Sequence, residues 1–255
     1  MEPRLEHEVA DGIATVVISN PAKRNAMTKD MWRELPVLLD RYAADPAVRA
    51  LVLTGAGDTF CAGIDIGALA DEAAAKELAV IAEDALAAFP KPTLAAVRGY
   101  CVGGGCQLAG ACDLRFAEEG SRFGVTPAKL GVVYAPSSTR RLVELVGPGA
   151  AKYLLFSAEL IDAQRALRTG LVDEVLPAGA LDKRVAEFTA VLASRSQLSQ
   201  VAAKEFAAGP AAPPVDPARI AYWAEQAHRS GEEAEGVAAF LERRPPRFGW
   251  TLPAR

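Results

Sequence analysis

Apolar residues open the chain in two short runs, Leu5 to Val9 and Ile13 to Ser19, on either side of the turn signal Ala10-Asp11-Gly12. That pattern predicts an antiparallel hairpin. The period then changes: Met31, Leu35 and Leu38 fall on one face behind Thr28, a good N-cap, so a helix is expected from there to about Tyr42. Val48 to Leu53 is a continuous apolar run bounded by turn residues, the pattern of a buried strand. An Ala-rich helix from about Asp71 to Phe89 is stopped by Pro90 and Pro92, and Thr93 to Val97 enters a second buried strand ending at Gly99. Gln107 to Ala111 reads as helix and Asp113 to Ala117 as strand. From Pro136 onward helices dominate, punctuated by Gly147, Gly170 and Gly179, with a short strand at Leu171 to Val175. Strands alternating with helices early, and helices alone late, predict an α/β fold. Ala208 to Pro217 is the clearest linker, and two further helices follow it, at about Ala218 to Arg229 and Glu232 to Arg243. Residues 1–195 are read as the core and 196–255 as a helical appendage expected to pack on another subunit.

Composition narrows the class. With 255 residues, 51% apolar and 24% charged, the chain can bury one large core without staples. A formal charge of -4 argues against a nucleic-acid surface, which needs clustered cations. The charged N-terminus lacks the apolar stretch of a signal peptide, and no apolar run approaches a membrane span, so a soluble cytoplasmic protein is expected. Cys61, Cys101, Cys106 and Cys112 form no CxxC pair and the only histidines are His7 and His228, which leaves structural thiols and no metal site.

Candidate chemistry concentrates in two loops. Residues 91–109, KPTLAAVRGYCVGGGCQLA, deliver a buried strand into Gly103, Gly104 and Gly105 at the start of a helix. Glycines allow close backbone approach and a helix start leaves free N–H groups, so this is a cradle for an oxyanion or a phosphate. The letters fit neither a dinucleotide fingerprint, nor a Walker loop, nor a GxSxG elbow. A second loop, Asp58 to Ile66, also leaves a buried strand through a glycine. Two such loops converging on one carbonyl oxygen would supply a strong catalytic effect.

These stretches, in order, resemble the enoyl-CoA hydratase/isomerase (crotonase) superfamily. The likeness runs from the hairpin through Asn20-Pro-Ala-Lys-Arg-Asn-Ala26, the FCAGIDI loop, the KPTLAAVRGYCVGGGCQLAGACDLRFA stretch and FGVTPAKLGVVY, to IDAQRALRTGLVDEVLP and FLERRPPRF. It implies the spiral of ββα units shared by ClpP and crotonase, with a C-terminal helical region that assembles homotrimers or hexamers. It implies an acyl-CoA thioester as substrate, with no cofactor beyond that coenzyme A. By the same resemblance the backbone amides of Ile64 and Gly104 form an oxyanion hole, Ala62, Gly63, Asp65 and Ile66 belong to the CoA-binding loop, and Lys23 or Arg24 sits near the CoA phosphates.

Two departures bear on the reaction. Hydratases of the family carry carboxylates at positions that here read as Gln107 and Ala128, and neither side chain can exchange a proton at neutral pH. The stretch Thr126 to Tyr134 is similar to the methylmalonyl-CoA decarboxylase branch, which makes Tyr134 a candidate to hold a departing carboxylate or relay a proton, with Lys129, Thr126 and Ser137 behind it. Three readings stand: decarboxylation of a malonyl-type thioester, hydration or isomerisation by an unusual acid-base set, and a non-catalytic acyl-CoA-binding protein.

Overall fold

The computed structural model describes residues 2–65, 72–207 and 214–253. In chain order its elements are β1 (Arg4–Ala10), β2 (Ile13–Ser19), α1 (Lys29–Ala44), β3 (Ala50–Gly55), α2 (Glu72–Ala87), β4 (Thr93–Val97), β5 (Tyr100–Val102), α3 (Gly104–Ala111), β6 (Leu114–Glu118) and β7 (Arg122–Gly124). There follow α4 (Pro127–Leu130), α5 (Pro136–Ser157), β8 (Ile161–Asp162), α6 (Ala163–Thr169), β9 (Glu174–Leu176), α7 (Leu181–Ser194), α8 (Gln197–Phe206), α9 (Pro217–Ser230) and α10 (Glu232–Glu242).

The strands share themselves between two sheets, ordered β1-β2-β3-β4-β6-β9 and β5-β7-β8. Among the described residues only β1 with β2 and β7 with β8 pair antiparallel; the other pairs are parallel. The chain gives one strand to each sheet before each helix: β4, β5, α3, then β6, β7, α4. The same step is abbreviated earlier, where Cys61 bridges Cys101 between β3 and α2, and Met27 bridges Ile64 between β2 and α1. This is the ββα spiral. Its consequence is that every turn crosses the second sheet just before a helix begins, so the loops of successive turns stack beside one another. The expected hairpin is present in register, with Asp11 and Gly12 both at positive φ, as its two-residue turn needs.

Thr28 caps α1, its side chain accepting the Met31 amide, and Met31, Trp32, Leu35, Leu38, Leu39 and Tyr42 form the buried face. The far end of α1 is closed from another turn: Lys91, 1% exposed, donates its Nζ to the carbonyls of Tyr42 at 2.9 Å and Asp45 at 2.6 Å. A cation at a helix C-terminus meets both its orphan carbonyls and its dipole. Burial pushes the Lys91 pKa down to about 8.

Several expected boundaries move. The strand expected at Val48 begins at Ala50, because the Val48 amide is committed to Asp45 O. The strand expected at Leu171 begins at Glu174, because the amides of Leu171 and Val172 close the end of α6 on Ala166 O. The helix expected from Gln107 starts at Gly104. Asp71 and most of the linker lie outside the described residues. Residues from α8 onward build a small cluster of their own around Leu198, Val201 and Trp223, and α8 is tied to the core by Gln197 on Val48 O and Lys204 on Lys91 O. Among the described residues no helix is long and apolar enough to cross a membrane.

Candidate active site

The two glycine loops meet. Gly103, at φ 58° and ψ -124°, is the N-cap of α3, a conformation that excludes ordinary side chains. Gly63, at φ 97°, lies so close to the α3 start that a Cβ there would stand 3.0 Å from Gly104 N. A Cβ on Gly104 would in turn stand 3.2 Å from the Trp32 ring and 3.7 Å from Gly63 Cα. Ile64 is held on both sides: Met27 N donates to Gly63 O, and Asp65 N donates to Met27 O. Among the described residues the amides of Ile64 and Gly104 have no backbone acceptor. Two spare N–H groups on adjoining loops, one at a helix N-terminus, are the elements of an oxyanion hole.

Both loops open on a cavity of about 710 Å³, walled by Ala62, Gly63, Ile64, Gly103, Gly104 and Gln107, by Glu83 of α2, and by Thr126, Pro127, Lys129, Tyr134 and Ser138 from the turn around α4 and the start of α5. The Tyr134 hydroxyl lies 3.7 Å from where a Cβ on Gly103 would be, beside the glycine junction. Burial raises its pKa well above the ordinary phenol value, so it is a neutral hydrogen-bond donor. Gln107 is buried, and its Nε2 has no hydrogen-bond partner among the described residues. Ala128 is exposed and is not part of the wall; Pro127, at the first position of α4, faces the cavity instead, and one residue further the helix has turned outward. Pro127, which does face the cavity, carries no carboxylate either.

Glu83 escapes the sequence reading. It is 3% exposed, accepts a hydrogen bond on Oε2 from the Ser138 hydroxyl, and has Arg141 Nη1 3.9 Å from the same oxygen. Burial, only partly offset by Ser138 and Arg141, pushes its pKa up to about 7. The signal was present: Ala75, Ala79, Ala82 and Leu86 make the buried stripe of α2, and Glu83 falls four residues after Ala79 on that stripe.

Other expected residues lie elsewhere. Lys23 Nζ and the Asp65 carboxylate satisfy each other at 2.7 Å, outside the cavity wall. Arg24 stacks over the Tyr100 ring at 5.0 Å to its centroid, and its carbonyl accepts the Ala62 amide. Asn20 and Asn25 knit this segment to the neighbouring loop, Asn25 Nδ2 donating to Ala56 O and Thr59 O. Ile66 lies outside the described residues. The four cysteines are buried and unpaired, with Cys61 and Cys112 pushed up to about 12 by burial, inert as nucleophiles. A second cavity, about 490 Å³, is lined by Arg49, Arg195, Arg244 and Arg247, but Arg244 is engaged by Glu235 and Glu242 and neither glycine loop reaches it.

Residues 8–250 match the family described as enoyl-CoA hydratase/isomerase, and the chain belongs to that family, whose members act on CoA thioesters. It is 34% identical over 250 residues to the crotonyl-CoA hydratase of Syntrophomonas wolfei, covering 94% of this chain and 96% of that one. It is 32% identical to the 2,3-dehydroadipyl-CoA hydratase of Escherichia coli, covering 92% and 94%. A crystal structure of an enoyl-CoA hydratase/isomerase family member superposes with a TM-score of 0.90 at 38% identity, over 99% of this chain and 98% of the other.

Proposed function

We propose that this enzyme decarboxylates a malonyl-type acyl-CoA thioester through an enolate. The observation that carries the reading is the make-up of the wall around the glycine junction: Gln107 and Pro127 face the cavity and neither carries a carboxylate, while the Tyr134 hydroxyl and the unpartnered Gln107 amide offer donors. The thioester oxygen would lie between the amides of Ile64 and Gly104. Tyr134 and Gln107 would hold the substrate carboxylate in a poorly hydrated setting. The bond from the α-carbon to that carboxylate breaks, CO2 leaves, and the electron pair becomes the enolate whose oxygen the two amides stabilise. A proton then returns to the α-carbon. No general base is needed to reach the enolate, which suits a wall with few carboxylates. The Ala62 to Ile66 loop would take the adenine end, with Lys23 and Arg24 at the phosphates.

Hydration or isomerisation is the second reading, favoured by the buried Glu83 carboxyl on the same wall. A screen of malonyl-, methylmalonyl-, ethylmalonyl- and crotonyl-CoA, followed by mass spectrometry, separates the two. Loss of CO2 from a malonyl-type ester with slow hydration of crotonyl-CoA is the expected result. Efficient hydration with no CO2 release would transfer the enzyme to the hydratase reading, and saturable binding of every ester with no turnover would make it a silent binder.

A further inference from the structure

We propose that Glu83 is the group that carries the proton to and from the α-carbon of the bound thioester, with Ser138 as its positioning residue. The inference rests on the enolate reading of this cavity and is independent of which overall reaction follows. Among the described residues two acidic side chains line the cavity, Glu77 and Glu83, and of these only Glu83 is buried. Its Oε2 takes both the Ser138 hydroxyl and the approach of Arg141, and its Oε1 has no hydrogen-bond partner among the described residues. One oxygen is thus anchored to α5 while the other is left for a ligand. A structural carboxylate on a buried helix stripe would be expected to have both oxygens satisfied by the protein.

The electrostatics agree with that placement. Asp84 beside it on α2 raises the Glu83 pKa, Arg141 from α5 lowers it, and burial outweighs both, which sets it at about 7. Among the described residues Lys76, Glu77 and Lys129 are the other charged groups on the cavity wall, and Tyr134 is a neutral phenol. The buried face of α1 is apolar apart from its tyrosine, and α3 contributes Gln107 and the buried Cys106 thiol but no charge. A group titrating near neutrality populates both forms and serves as either acid or base. As an acid, Glu83 gives its proton to the enolate carbon after CO2 has left and is recharged from solvent. As a base, it takes an α-proton, and the C–H electron pair becomes the enolate held by Ile64 and Gly104.

The second direction gives a test that needs neither decarboxylation nor hydration. The intact enzyme is incubated with butyryl-CoA in D2O, and deuterium at the α-carbon is read by mass spectrometry across pH. Exchange is expected, rising with pH through a midpoint near 7. Glu83→Gln should lower it about a hundredfold or more while calorimetric binding of acetyl-CoA stays close to the parent value. Ser138→Ala removes a hydrogen bond that favours the ionised carboxyl, so its midpoint should move to higher pH. Exchange by Glu83→Gln at the parent rate, or no exchange above solvent by the parent protein, would overturn the assignment. If Glu83→Gln fails to fold, the Ser138→Ala profile decides, and an unmoved midpoint overturns it. Intact exchange with no CO2 release from any malonyl-type ester would sink decarboxylation and leave Glu83 standing; absence of binding by any CoA ester would remove both.

Discussion

At the scale of single residues, the group assigned to proton transfer weakens the fold that holds it. Glu83 ionises near pH 4.5 in the unfolded chain and near 7 in the folded one. Between those values the folded state binds more protons, so stability falls as pH rises through that window and the whole cost is present above it. The shift corresponds to roughly 3 kcal/mol at pH 8 and under about 1 kcal/mol at pH 5, as an upper bound. Glu83→Gln, which keeps an acceptor for Ser138, should raise the melting temperature at pH 8 and change it little at pH 5. A gain equal at both pH values would mean that the carboxyl does not titrate in this window. Tyr134 gives a contrasting case. Tyr134→Phe should depress turnover of a malonyl-type ester and spare acetyl-CoA binding, with a stability loss of about 1 kcal/mol for one hydrogen bond. Full turnover in that variant would take the hydroxyl out of the mechanism and turn attention to Thr126 and Lys129.

At the scale of elements, Lys91 joins two turns of the spiral: it enters β4 on its own backbone and closes the end of α1 with its side chain. Lys91→Met keeps the buried stem but leaves the Tyr42 and Asp45 carbonyls short of a donor, which should cost about 2 to 4 kcal/mol. Urea unfolding with an unchanged slope and a lower midpoint would register it; an unchanged midpoint would show that those carbonyls find other donors. Lys91 also marks the limit of what was legible. The hairpin, α1, α2, β4 and the late helices were readable because each is long or strongly patterned. The small sheet was not: β5, β7 and β8 have two or three residues each, too short for any period, and they pair with residues far along the chain. Leu171 and Val172 are apolar and strand-like, yet their amides serve a helix end, a choice local composition does not encode. The two glycine loops were legible because their junction leaves little room for a side chain. Glu83 was hidden by the alanines around it, which of Pro127 and Ala128 faces the cavity depends on the turn of a four-residue helix, and the ion pair of Lys23 with Asp65 is a long-range contact that local composition does not encode.

At the scale of the whole molecule, the surface carries more large apolar side chains than one copy has reason to show. Val237, Phe240 and Leu241 fall on one face of α10 and are 56%, 83% and 74% exposed, and Phe156 at the end of α5 is 75% exposed. Apolar residues at three- and four-residue spacing on an exposed helix mark a face built to be covered. Leu130 and Val133, 64% and 90% exposed, stand on the wall of the large cavity. Closed symmetric assembly would cover such faces in every copy, and the family resemblance implies a homotrimer or a pair of trimers with the C-terminal helices in the contacts. Light scattering behind size exclusion should give three or six times the 26.8 kDa chain mass at micromolar concentration. Phe240→Glu with Leu241→Glu places two charges on that face without touching the catalytic loops, so it should shift the population to monomer and lower the melting temperature. If the parent protein runs as a monomer, the exposed α10 face is not a self-contact. If the double variant stays assembled, the contact lies elsewhere, with the apolar rim at Leu130 and Val133 the next surface to alter; loss of turnover there would then tie the cavity's shape to assembly.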